Sequence, residues 1–340
     1  MKNKFRFFLG ILMMCILIAY IGCNKDKRTV LGPDANTPTY LITVTVLNPS
    51  GTPQGGVTLT LQNPPYTSSI FTTITDNLGH GTLQAPVGNQ IIIATMGTVF
   101  QDTVTVNVAV SSTPTVVSTP LRLVQNTTTK KVLVVEAFAE QLETVLRVIG
   151  FTTFDETTIE TLRDRANTDS TELFNYLKQY SLVFSDCDGN SEGDSVFAAL
   201  SRTYGRYVSQ GGKMYGGHYN YYHLQRIWPS FYTNRDYQGV DSQDSISFTD
   251  QNIKLALGFN IAKWNSTDGL RRYLSGYEKF SNLPSNAKVY GVIYKTSPNV
   301  GVIVENYIGS GKYLWTDYHN QDIIDDPKLL KIVQYFLLSL

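Results

Sequence analysis

Residues 40 to 124 alternate between apolar and polar positions. Leu41-Ile42-Thr43-Val44-Thr45-Val46 is β-branched with period two, the pattern of a strand with one buried face. Val57-Thr58-Leu59-Thr60-Leu61 and Val104-Thr105-Val106-Asn107-Val108 repeat it, and Ile91-Ile92-Ile93-Ala94 follows it more loosely. Asn48-Pro49-Ser50-Gly51, Asp76-Asn77-Leu78-Gly79 and Pro86-Val87-Gly88 punctuate these runs as turns. Short strands, frequent turns and no helical period predict an all-β sandwich over 39–125. His80, beside a Gly turn, reads as a solvated loop residue.

Beyond a Thr/Ser-rich join at 111–129 the period changes. Val132-Leu133-Val134-Val135 and Leu182-Val183-Phe184 are continuous apolar runs, as expected of strands buried on both faces. Leu142, Val145, Leu146 and Ile149 recur at helical spacing, with Gly150 as the stop. Val196, Leu200, Tyr204 and Val208 form a second helical stripe, closed by Gly211-Gly212. Lys213-Met214-Tyr215-Gly216-Gly217 reads as a strand, as do 289–294, 302–307 and 312–316. Leu329, Leu330, Val333, Phe336, Leu337 and Leu340 make a closing amphipathic helix. Strands alternating with helices predict an α/β doubly wound parallel sheet, flavodoxin-like in layout, over 126–340. The chain is thus read as multidomain, with 39–125 and 126–340 as separate folding units.

The amino terminus has a different character. Lys2, Lys4 and Arg6 precede an uncharged apolar run, Phe7–Ile21, and then Gly22-Cys23. A basic segment followed by a short apolar one is the order of a secretory signal, and the run is short for a bilayer-spanning helix. Tyr20-Ile21-Gly22-Cys23 resembles the bacterial lipobox. The resemblance implies a signal peptide over 1–22, cleavage before Cys23 and fatty acylation, of the palmitate type, on its thiol. The polar, turn-rich stretch 23–38 then reads as a tether. Of the three cysteines, Cys15 leaves with the signal and Cys23 carries lipid, so Cys187 stands alone and no disulfide forms within the mature chain. The expected address is the bacterial cell envelope, on the periplasmic or cell-surface side. The expected partners are the membrane, through the lipid, and an envelope glycan or protein.

Composition narrows this further. Hydrophobic residues make up 42% and charged residues 16%, enough to build a core. Lys and Arg together number 28, as do Asp and Glu, so no global field draws the chain to nucleic acid.

Two family resemblances follow from the order of motifs. The run from Val46-Leu47-Asn48-Pro49 through Gly55-Gly56-Val57 to Thr73-Ile74-Thr75-Asp76 and Leu83-Gln84-Ala85-Pro86 resembles the carboxypeptidase regulatory-like, or transthyretin-like, sandwich. That implies a spacer or adhesive module. Leu182 to Gly189, Tyr207-Val208 with Gly211-Gly212 and Gly216-Gly217-His218, and Tyr313 to Asn320 together resemble the class I glutamine amidotransferase-like fold. Working members of that family place a Cys on the elbow after the strand that follows the Gly pair. Here the elbow is Gly217-His218-Tyr219, without a Cys. His319 matches the family's late His, and Gln321 stands where its acid belongs, with Asp322 adjacent. The resemblance therefore implies a degenerate, non-catalytic binding domain that needs no cofactor.

The candidate chemistry lies at the predicted strand ends. Cys187, His218 and His319 should converge on the carboxyl edge of the sheet, where open α/β sheets place ligands. Flanking Asp186 and Asp188 oppose a reactive thiolate at Cys187. The alternative reading is an envelope hydrolase or amidase that reuses Cys187 with His218 or His319, and a third is a purely structural surface protein. Asp186, Asp188 and Asn190 space oxygen ligands like the opening of a calcium loop, but Ser191 stands where such a loop needs Gly. His223 lies five positions from His218, which does not put the two on one helical face, and no HExxH occurs. Aromatic residues crowd 215–237 and suit stacking on sugars or a protein contact.

Overall fold

The computed structural model describes residues 37–137, 141–187, 195–217, 220–228, 233–236, 245–263, 277–280, 285–293, 301–317 and 326–340. The described residues open with nine strands: β1 (Thr39–Leu47), β2 (Thr58–Leu61), β3 (Thr72–Ile74), β4 (His80–Pro86), β5 (Gly88–Met96), β6 (Phe100–Val108), β7 (Thr115–Val116), β8 (Leu121–Arg122) and β9 (Val124–Gln125). One sheet runs β3-β2-β5-β6-β9, and a second runs β4-β1-β7 with β8 beside β1. The alternation is realised in β1, where Ile42, Val44 and Val46 are fully buried and the residues between them are not. His80 is exposed at the start of β4, its amide bonded to Asp76 Oδ1 at 2.9 Å.

The remainder carries β10 (Val132–Glu136), α1 (Leu142–Ile149), β11 (Asp155–Thr158), α2 (Ile159–Thr168), α3 (Ser170–Leu177), β12 (Leu182–Ser185), α4 (Ser195–Ser209), β13 (Lys213–Gly217) and α5 (Tyr221–Ile227). It continues through β14 (Thr233–Asp236), β15 (Ser245–Phe248), α6 (Gln251–Leu257), β16 (Ile261–Lys263), β17 (Tyr277–Phe280), β18 (Lys288–Ile293), β19 (Gly301–Ile308), β20 (Gly311–Thr316) and α7 (Pro327–Leu338). A nine-stranded sheet runs β11-β10-β12-β13-β20-β19-β18-β15-β16, while β14 and β17 pair separately. The chain is therefore a multi-sheet α/β protein.

The continuous apolar runs are buried on both sides, as expected. Along β10, Val132 and Val134 join one core while Leu133 and Val135 join another. Helices α2 to α5 cover the second face through residues such as Leu162, Phe174, Leu200 and Leu224. Helices α1, α6 and α7 cover the first. The helix at Leu142 ends on Gly150, and α7 starts on Asp326, whose carboxylate caps the amides of Lys328 and Leu329. Among the described residues no helix is long and apolar enough to cross a membrane.

The all-parallel expectation needs correction. β11, β10, β12, β13 and β20 are parallel, but β19, β18, β15 and β16 continue the sheet antiparallel. The cause is local. Ile308 pairs with Gly311, leaving the two-residue turn Gly309-Ser310 between β19 and β20. A parallel pair needs a crossover of a dozen or more residues, so this link permits only a hairpin. Gly309 takes the positive φ, 55°, that such a turn demands.

The apolar packing does not stop at the join near residue 125. A single core unites Ile42, Leu59 and Phe100 of the first two sheets with Leu146, Phe151 and Phe336. Phe100 meets Phe151 edge-on, with ring centres 4.8 Å apart. The Gln125 side chain spans the join, accepting from Thr152 N at 2.8 Å and donating to Thr153 O at 2.7 Å.

Candidate functional site at the strand edge

β12, β13 and β20 are neighbours and parallel, with Ser185 opposite Gly216 and Gly217 opposite Thr316. Their carboxyl ends therefore share one edge. Asp186 and Cys187 follow β12, and Asp317 follows β20. All three are buried: Asp186 is 1% exposed, and Cys187 and Asp317 are 0% exposed. The order β11-β10-β12 makes the space beside β10 a topological switch point, because the chain leaves β10 first to one side and then to the other.

Short polar links tie this edge together. Asp186 donates its amide to Val135 O at 2.9 Å, and its Oδ2 accepts from Ala137 N at 3.2 Å. Asn220, fully buried just ahead of α5, donates from Nδ2 to the carbonyls of Ser185, Asp186 and Gly217. One amide side chain thus joins the ends of β12 and β13. A Cβ at Gly216 would lie 2.4 Å from Tyr313 Oη and 2.7 Å from Asn220 Cβ, so Gly216 leaves room for that link. At the end of β10, burial raises the Glu136 carboxyl above its ordinary range, and the charges of Glu156 and Glu143 push the same way.

The sequence candidates divide. Asp186 and Cys187 lie at the edge. Cys23, Asp188, Asn190, His218 and His319 lie outside the described residues. Among the described residues no three His, Cys, Asp or Glu side chains group as a metal site. His223 is built into the contact between α4 and α5. Its Nδ1 is 2.8 Å from Ser201 Oγ, and its ring stacks on Phe197 at 4.2 Å. Sequence reasoning missed Asn220 and Glu136. The available signals were an Asn opening a helix and an acidic residue closing a buried strand.

No family model and no curated protein matches the chain. Solved structures do match. A cytoplasmic protein of Salmonella typhimurium is 12% identical, with a TM-score of 0.42 over 61% of this chain and 97% of its own. A glutamine amidotransferase of Thermotoga maritima is 12% identical, with a TM-score of 0.37 over 62% of this chain and 94% of its own. A cold-adapted β-galactosidase of Rahnella is 11% identical, with a TM-score of 0.34, and the match spans 31% of that enzyme. Likenesses at these scores carry no functional conclusion, and the chemistry of the edge rests on the residues described above.

Proposed function

We propose that the chain is a lipid-anchored protein of the bacterial cell envelope. In this reading a carboxypeptidase regulatory-like sandwich carries a class I glutamine amidotransferase-like body, which binds a glycan or protein at its strand edge without turning it over. The observation that supports binding rather than catalysis is the state of Cys187. The thiol is fully buried, and its chain neighbour Asp186 is a buried carboxylate. A nucleophilic cysteine needs an accessible setting, and the burial of this thiol supports the binding reading.

The purified chain and Cys187→Ala should both fail to turn over glutamine and simple amides. Removing a working nucleophile costs about 10⁶-fold in rate. Turnover in the parent that disappears in the variant would therefore reverse the reading.

The anchor is tested separately. Mass spectrometry of membrane-extracted protein should find acyl chains on Cys23 as the first residue. Cys23→Ala should release the protein from the membrane fraction, and unchanged processing and partitioning would remove the lipid anchor from the proposal.

A further inference from the structure

A second polar site lies at the seam between the first sheets and the α/β sheet, away from the strand edge. It is a cavity of about 290 Å³, with Gly56 and Ile74 on one wall and residues of β18, β19, β20, α6 and α7 on the others. Lys312 at its floor is five positions before Asp317 along β20, so the cavity sits ~16 Å from the strand edge.

Glu305 is the centre of the floor and is 4% exposed. Lys312 Nζ donates to its Oε2 at 2.9 Å and to Ser339 O at 3.2 Å. Tyr290 Oη donates to Glu305 Oε1 at 3.0 Å, and Tyr307 Oη donates to the same oxygen. The floor is thus charge-balanced and held in place. Each phenol spends its proton on the carboxylate and keeps lone pairs that can accept from a ligand hydroxyl.

Two groups on the wall have no such engagement. Lys288 is exposed, with its ammonium 5.6 Å from the Tyr307 ring centre, and it makes no ion pair among the described residues. Tyr335 makes no hydrogen bond through its hydroxyl among the described residues, although its ring packs edge-on against Phe336 at 5.1 Å. Asp250 also lines the cavity, but its Oδ1 caps α6 by accepting from the amides of Asn252 and Ile253.

These groups select a ligand class. The volume lies at the small end of ligand sites, roughly 300–1,000 Å³, so it suits one ring rather than a polymer. Glu305 and Asp250 oppose a multiply charged phosphate, while Lys288 favours one negative group. The phenols of Tyr290, Tyr307 and Tyr335, all lining the cavity, ask for neutral hydroxyls.

We propose that this cavity binds a single acidic sugar ring of the uronate type, its carboxylate on Lys288 and its hydroxyls on Tyr335, Tyr290 and Tyr307. The site is independent of the strand edge, so it stands or falls separately from the reading of that edge.

The test is calorimetric titration of the full chain with D-glucuronate, D-glucose and acetate. D-glucuronate should bind, and the other two should bind about tenfold or more weakly, because each lacks half of the recognised groups. Lys288→Ala and Tyr335→Phe should each weaken D-glucuronate about tenfold. The first removes an exposed side chain and the second keeps the ring, so both should retain the parent fold by circular dichroism. Arg147→Ala, on α1 and paired with Glu156, should keep the parent affinity. Absence of D-glucuronate binding at millimolar concentration would overturn the proposal. So would equal affinity for D-glucose or acetate, or parent affinity in both variants.

Discussion

Lys312→Met should destabilise the fold by about 3–5 kcal/mol, because it leaves the buried Glu305 carboxylate without its cation. Glu305 and Lys312 have side-chain exposures of 5% and 16%, so water screens the pair poorly. Burial alone would raise the Glu305 carboxyl. The Lys312 charge and the hydrogen bonds from Tyr307, Lys312 and Tyr290 outweigh it and hold the group below its ordinary value of 4.5. A carboxyl depressed on folding contributes fully above its unfolded value, and that contribution is lost as pH falls through the folded one. The parent should therefore keep this contribution at neutral pH and lose it only in acid. With Lys312 gone, burial, the largest cause, is opposed by the two phenols alone, so the carboxyl rises. A carboxyl raised on folding costs stability above its unfolded value, so the variant's deficit is largest at neutral pH and shrinks in acid. Urea melts of both proteins at several pH values read the effect. Equal midpoints at pH 7 would show that the pair is dispensable.

Gly55→Ala should cost about 3 kcal/mol or more by forcing the seam apart. A Cβ at Gly55 would lie 2.1 Å from Ala256 O and 2.7 Å from Asp76 O. Both are backbone atoms, so no side-chain rotation relieves the clash. Ala256 belongs to α6 and Asp76 to the turn before β4, so the strain falls on the contact between the two stretches expected as separate units. The shared core predicts one cooperative melt for the parent and protection of the 125–129 join from protease. Gly55→Ala should melt lower and be cut at that join. Two transitions in the parent, or cleavage there before any unfolding, would show instead that 39–125 and 126–340 fold as independent units.

Much of the fold was legible because it depends on short-range pattern. The unbroken apolar runs at Val132 and Leu182 announced two-sided burial, since a strand covered on both faces has no solvated position. The stripe from Leu142 to Ile149 announced α1 because those side chains share one helical face. Helices α2 and α3 were harder to read. They are short and polar, and Ile159, Leu162 and Ala166 make a thin stripe. The caps Thr158 and Asp169 were their clearest local marks.

Strand direction was legible only in part. An apolar run records burial but not the direction of its neighbour. The Gly309-Ser310 link, a hairpin signal, was the one local sign that β19 returns antiparallel to β20.

The candidate sites divide along the same line. Asp186 and Cys187 could be placed at the sheet edge from sequence because they end a recognisable strand. Asn220 could not, because its role is to reach carbonyls 34 and 35 positions away. The sequence by itself determined where many of the strands and helices form and which of their faces are apolar. These follow from periodicities of two and 3.6, which neighbouring residues carry. Only the tertiary structure decided what Glu305 is. In sequence it is one acidic residue inside an apolar strand. Its charge is tolerable in the interior because β18 supplies Tyr290, β19 supplies Tyr307 and β20 supplies Lys312, and the strength of a buried charge's interactions depends on distances that no local pattern encodes.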